Sequence, residues 1–216
     1  MYQYILFDLD GTLTDPEIGI TNGVMYALKK FGIEVNDRKE LHCFIGPPLV
    51  DAFMKYYGFS LENAKKATAY YREFFRETGI YQNSVFEGTD ELLKTLKNAG
   101  KTLILATSKP QEFAEIVLNY FDLMQYFDCV VGATFDGTLN YKADVIKVAL
   151  ERGKVADIRN AVMIGDRYHD IEGAKQNQLK SIGVLYGFGD REELEQSGAD
   201  YIVETPLELL KILIKN

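Results

Sequence analysis

Asp8 and Asp10 stand one residue apart in Asp8-Leu9-Asp10-Gly11-Thr12-Leu13-Thr14, directly after the apolar run Tyr4 to Phe7. Two carboxylates leaving a buried strand side by side are costly unless a cation neutralises them. Mg²⁺, a hard and oxygen-seeking ion, is the candidate. A second acidic group, Gly165-Asp166-Arg167-Tyr168-His169-Asp170, follows the apolar run Ala161 to Ile164. Between these two in the chain, Ala106-Thr107-Ser108-Lys109-Pro110 closes another apolar run; a hydroxyl and successive backbone N–H groups there can bind phosphate oxygens. Lys142, in Asn140-Tyr141-Lys142-Ala143-Asp144, offers a positive charge just before an amphipathic stretch, and Lys109 competes for that role. Each feature also has a plainer account: an acidic turn, an N-cap at Asp170, a polar turn before a helix, a solvated lysine.

The elements that must position these residues are legible as short apolar runs with helical stretches between them. Tyr4 to Phe7, Thr102 to Ala106, Cys129 to Gly132, Ala161 to Ile164, Ser181 to Leu185 and Tyr201 to Val203 read as buried parallel strands. Thr89 to Ala99, Gln111 to Tyr120, Tyr141 to Arg152 and Pro206 to Ile214 carry apolar residues at helical spacing. This alternation predicts an α/β fold with a doubly wound parallel sheet, in which ligands bind at the carboxyl ends of the strands. From Pro16 to Tyr81 the pattern changes to three amphipathic helices. The first carries Ile20, Val24, Ala27, Leu28 and Phe31 and stops at Gly32; the second places Val50, Phe53, Met54 and Tyr57 on one face and ends at Gly58. The third starts after the N-cap candidate Ser60, aligns Ala64, Ala67, Tyr71, Phe74 and Phe75, and ends at Gly79.

With the motifs in this order, the chain resembles the haloacid dehalogenase-like hydrolases, a superfamily dominated by phosphatases, over essentially its whole length. The resemblance implies a Rossmann-like catalytic core formed by residues 1–15 and 82–216, its first strand between the second and the fourth, and an inserted helical cap over 16–81. It implies that Asp8 attacks phosphorus and that Asp10 is general acid and base, with its carbonyl also a metal ligand. Asp8 and Asp166 then bind Mg²⁺, Asp170 binds it directly or from behind, and Thr107 supplies the phosphate-binding hydroxyl, with Ser108 and Gly11 alongside. Lys142 offsets the charge on Asp8 and the phosphoryl group, since three carboxylates and a phosphate dianion exceed what one Mg²⁺ neutralises. Phe44-Ile45-Gly46-Pro47-Pro48-Leu49 resembles the substrate-facing loop of the phosphoglycolate phosphatase-like and bacterial 5′-nucleotidase-like branch; Gly46, Pro47 and Pro48 equally suit a stiff turn between helices. The segments Thr14 to Pro16 and Tyr81 to Val85 are short enough to serve as hinges.

The activity so implied is magnesium-dependent hydrolysis of a small phosphorylated metabolite through an aspartyl-phosphate. Phosphoglycolate and a nucleoside 5′-monophosphate lead as substrates, with pyrophosphate behind them. The leading reading is phosphoglycolate phosphatase-like, the alternative is a 5′-nucleotidase acting on nucleoside monophosphates, and a phosphosugar mutase on the same scaffold ranks below both; retention of Asp8, Asp10, Lys142 and Asp166 argues against a silent binding module.

Composition narrows the partners. The 216 residues are 47% hydrophobic, and 32 acidic against 24 basic residues give a net charge of −8, which disfavours binding to a nucleic-acid polymer or an anionic membrane. Cys43 and Cys129 belong to no metal or redox motif and fit a reducing compartment. Met1-Tyr2-Gln3-Tyr4 has neither the basic region of a signal peptide nor an anchor, so the expected location is cytoplasmic. His42 and His169 share no ligand spacing, and Tyr56, Tyr57, Tyr70 and Tyr71 read as packing residues. Oligomeric state is left open.

Overall fold

The computed structural model describes residues 2–214. Met1, where the amino-terminal reading begins, and Lys215 and Asn216 lie outside the described residues. The strands in chain order are β1 (Tyr4–Phe7), β2 (Thr14–Asp15), β3 (Ser84–Val85), β4 (Thr102–Pro110), β5 (Cys129–Ala133), β6 (Ala161–Gly165), β7 (Lys180–Val184) and β8 (Tyr201–Val203). The main sheet has the order β5-β4-β1-β6-β7-β8, and β2 and β3 form a separate two-stranded ribbon. Every pairing in the main sheet is parallel. This is the doubly wound α/β sheet expected of a Rossmann-like core.

Ile5, Leu6 and Phe7 are all fully buried although successive side chains point to opposite faces, so β1 is covered on both sides. Leu6 belongs to one buried cluster with Ile104 of β4, Met163 of β6, Val131 of β5, and Val145, Ile146 and Ala174. Phe7 lies opposite Leu105 on one side and Ile164 on the other. That register brings Asp8, Thr107 and Asp166 out at the same edge of the sheet. β1 leads toward β4 and β6 toward β7, so the chain diverges between β1 and β6, where an open α/β sheet leaves its ligand crevice.

The chain divides into two compact units: the part through Asp15 together with the part from Val85 onward, and Pro16–Ser84. The second unit contains α1 (Glu17–Lys29), a 3-10 segment Arg38–Phe44, α2 (Leu49–Tyr57), α3 (Leu61–Glu77) and a 3-10 turn Gly79–Tyr81. It extends to Ser84 because Gln82 stays bound to α1: Gly19 N–H donates to the Gln82 carbonyl at 3.0 Å and Asn22 Nδ2 to Gln82 Oε1 at 2.9 Å. Ser60 caps α3 by accepting from Asn63 N–H, and Gly58 ends α2 in the left-handed conformation. Two expectations need correction. In α2 the buried face is Ala52 and Phe53, and Met54 is 40% exposed. Gly79 is no helix stop; α3 ends at Glu77, and Gly79 is where α1 passes, since a Cβ on Gly19 would lie 2.0 Å from the Gly79 carbonyl oxygen.

The helices of the first unit are α4 (Thr89–Asn98), α5 (Gln111–Tyr120), α6 (Lys142–Arg152), α7 (Tyr168–Gln176), α8 (Arg191–Ser197) and α9 (Leu209–Leu213). The segment Thr107 to Lys109, expected as a turn, instead continues β4 to Pro110, with a register shift against β5 between Thr107 and Pro110. Among the described residues no helix is long and apolar enough to cross a membrane. Leu6→Ala should lower the unfolding free energy by about 2–5 kcal/mol; urea denaturation checks this as a lower midpoint at unchanged slope.

Candidate active site

Asp8 follows β1 directly, its N–H donating to the Ile164 carbonyl at 2.9 Å, so its backbone is held in the sheet. Asp166 follows β6, and Asp170 sits in the first turn of α7, its Oδ2 accepting from Arg167 N–H at 3.1 Å. Asp170 is therefore not the N-cap of that helix, which is Arg167; it braces the cap from three residues inside. One carboxylate oxygen each of Asp8, Asp166 and Asp170 lies within 4.8 Å of the others, and all three residues are buried.

Lys142, the first residue of α6, reaches into this group. Its Nζ is 2.8 Å from Asp8 Oδ1 and 2.9 Å from Asp170 Oδ1, and it donates to the Ala106 carbonyl at 3.0 Å. The two carboxylate contacts are buried ion pairs. Among the described residues the buried Asp166 Oδ1 has no hydrogen-bond partner, while Oδ2 accepts from Phe188 N–H at 2.8 Å. Burial pushes the carboxyl of Asp166 well above its usual range, the Asp170 charge adding to it. Asp170 is pushed up to about 6, mainly by burial, with Lys142 opposing. Burial alone would depress Lys142, but Asp170 and then Asp8 outweigh it and raise it. An orphaned carboxylate oxygen beside two further buried carboxylates fits a hard divalent cation such as Mg²⁺.

Asp10 has a separate partner. Lys109 Nζ lies 2.7 and 2.9 Å from its two oxygens in a pair almost wholly removed from water. Burial raises the Asp10 carboxyl, Lys109 opposes this, and the Asp8 charge adds to it. The two lysines that compete in the sequence thus both enter the site, on different carboxylates. Thr107 is buried and its Oγ1 accepts from Lys109 N–H at 3.2 Å, leaving its own proton free to donate. Ser108 is partly exposed in the same strand. Gly11 donates its N–H to the Thr14 carbonyl at 2.8 Å, so what it offers is space: its φ is +81° and a Cβ there would lie 2.1 Å from Asp166 Oδ2. Gly46, Pro47 and Pro48 belong to the other unit, where they join the Arg38–Phe44 segment to α2.

Some groups had no counterpart among the motifs of the sequence. The segment after β7 wraps Asp166: Phe188 donates to it, a Cβ on Gly187 would lie 2.4 Å from the Asp166 Cβ, and Tyr186 donates its hydroxyl to the Thr12 carbonyl at 3.1 Å. The glycines bracketing Phe188 just after a strand are the available signal of close backbone approach. His169 stacks on Tyr168 and is held down to about 4, by burial first and then by Arg167 and Lys142, so it is neutral near pH 7. His42 lies 2.8 Å from Glu17 within the other unit.

Comparison with known proteins agrees with this geometry. Residues 5–184 match the family described as haloacid dehalogenase-like hydrolase. A 5′-nucleotidase of Pseudomonas aeruginosa is 47% identical over 193 residues, 89% of this chain and 87% of that protein. The tyrosine-protein kinase PtkA of Mycobacterium tuberculosis is 34% identical over 93% of this chain and 68% of its own length. The crystal structure of a predicted phosphatase from Clostridium acetobutylicum superposes with a TM-score of 0.97 at 48% identity, covering 99% of both chains. On the motifs, the sheet and these relatives together, the chain belongs to the haloacid dehalogenase-like hydrolases.

Proposed function

We propose that the chain is a magnesium-dependent phosphatase that hydrolyses a small phosphate monoester through an aspartyl-phosphate on Asp8. The observation that carries this reading is the convergence of the Asp8, Asp166 and Asp170 carboxylates, with Lys142 paired to two of them. When bound, Mg²⁺ supplies charge neutralisation and polarises the phosphoryl oxygens. Asp8, fixed at the strand end, forms the new oxygen–phosphorus bond as the ester oxygen–phosphorus bond breaks. Asp10, whose buried carboxyl is raised, holds the proton that goes to the leaving oxygen. It then takes a proton from the water that attacks phosphorus, releasing inorganic phosphate and restoring Asp8. Lys142 balances the charge gathered on Asp8 and the phosphoryl group, and Thr107 and Ser108 bind its oxygens.

Nucleoside 5′-monophosphates are favoured over phosphoglycolate on one observation, the high identity to a protein named a 5′-nucleotidase. Substrate choice is assigned to the helical unit acting as a cap, through Gly46, Pro47 and Pro48. Release of inorganic phosphate in steady turnover from a panel of metabolites, without a bisphosphate activator, tests phosphatase against mutase and ranks the substrates.

Asp8→Asn should reduce turnover by roughly 10⁴-fold or more, and excess chelator should do the same to the unaltered protein. Full phosphate release under either condition rejects the nucleophile assignment. Asp10→Asn should slow an alkyl phosphate by roughly 10²- to 10⁴-fold while a p-nitrophenyl ester, whose leaving group needs no proton, loses less in the first step. Equal losses on both esters in single-turnover measurements would remove Asp10 from the acid role. A pH effect follows from the raised carboxyls. Asp170 keeps its proton in the folded state up to about 6, whereas the unfolded chain loses it near 3.8, so stability falls as pH rises across that window. The metal-free protein should therefore melt at a lower temperature at pH 7 than at pH 5, and Mg²⁺ should reduce that difference. Thermal melts in chelator and in Mg²⁺ at both pH values measure it.

A further inference from the structure

One charged side chain reaches the Asp166–Asp170 turn from a different element. Glu193, in the first turn of α8, places Oε1 2.8 Å from Arg167 Nε and 2.8 Å from the backbone nitrogen of Tyr168, and Oε2 3.3 Å from Arg167 Nη2. Tyr168 opens α7, so its N–H is one of the donors for which a helix provides no internal acceptor. Glu193 thus caps a neighbouring helix and grips Arg167 with both oxygens, at side chains only 13% and 25% exposed. Its own N–H donates to Asp190 Oδ1 at 2.8 Å, which fixes the turn it stands on. The chain just before it holds the preceding residue of the same loop: Phe188 donates to Asp166, and a Cβ on Gly189 would lie 2.0 Å from the Asp166 carbonyl oxygen. Residues 186–193 therefore hold Asp166, Arg167 and Tyr168 in succession.

Arg167 makes this grip consequential. Arg167 follows Asp166 directly and is the N-cap of α7, so what holds it holds the turn between the two carboxylates.

We propose that Glu193 is a positioning residue for the divalent-cation site, which fixes the turn bearing Asp166 and Asp170 by holding Arg167 and the Tyr168 N–H. It sets how tightly the ion is held without touching it. The inference rests on the magnesium reading above.

The test is calorimetric titration of Mg²⁺ into the chelator-stripped full chain, for the unaltered protein, Glu193→Ala and Glu193→Gln. Glu193→Ala should weaken Mg²⁺ binding by roughly 10- to 100-fold, the range seen when a group supporting a metal ligand is lost. Glu193→Gln, which keeps an acceptor for Tyr168 N–H but loses the charge, should weaken it less. It carries the test if the alanine variant does not fold. In both variants saturating Mg²⁺ should restore kcat with the substrate KM unchanged, a split that general loosening of the fold does not give. Mg²⁺ affinity within about twofold of the unaltered protein in either folded variant, or a kcat that stays depressed at saturating Mg²⁺, overturns the proposal and leaves the phosphatase reading standing. If the unaltered protein binds no Mg²⁺, the magnesium reading falls and this inference with it.

Discussion

Four aspartates are taken out of water at one edge of the sheet, and the ammonium groups of Lys109 and Lys142 are the cations paired with them. Carboxylates this close and this dry cannot all stay ionised on two lysines alone, which is why Asp10, Asp166 and Asp170 all hold their protons more tightly than a solvated aspartate. With all four ionised the two lysines leave two negative charges over, which one divalent cation would cancel. The glycines follow from the same constraint. Gly11 and Gly187 lack side chains so that backbone can close around Asp166, excluding the water that would otherwise screen the site.

The lysines divide this electrostatic work. Lys142 leans on Asp8 and Asp170 from the start of α6, whereas Lys109 reaches Asp10 from the extended end of β4. One cation thus serves the proposed nucleophile and the other the proposed acid and base. The register shift in β4 accompanies this arrangement: it lies in the segment that holds Thr107, Ser108 and Lys109.

Much of this was legible in the residues. Ile5, Leu6 and Phe7 form a continuous apolar run because both faces of β1 are covered, and a strand so dry that ends in Asp-x-Asp requires positive charge close to its end. Ser60 and Gly58 announced the ends of their helices through cap chemistry that acts locally. What escaped was non-local. Phe188 contributes a backbone N–H, which leaves no mark on residue type. Glu193 lies in the acidic stretch Arg191-Glu192-Glu193-Leu194-Glu195, which reads as a solvated helix face until Arg167 is seen beside it. Met54 has the spacing of a core residue, but Ala52 and Phe53 take the buried side of α2.

The sheet order also governs how the molecule must be assembled. Tyr4 at the start of β1 pairs with Thr102 on one side and Ala161 on the other, so the central strand is made well before either partner. Pairings this distant in sequence close slowly, because the chain entropy is lost before the contacts form. On the ribosome the segment Tyr4-Ile5-Leu6-Phe7 emerges before either partner strand has been made. A nascent chain stalled short of β6 would leave one side of this hydrophobic strand without its partner, the form most open to chaperone capture or aggregation.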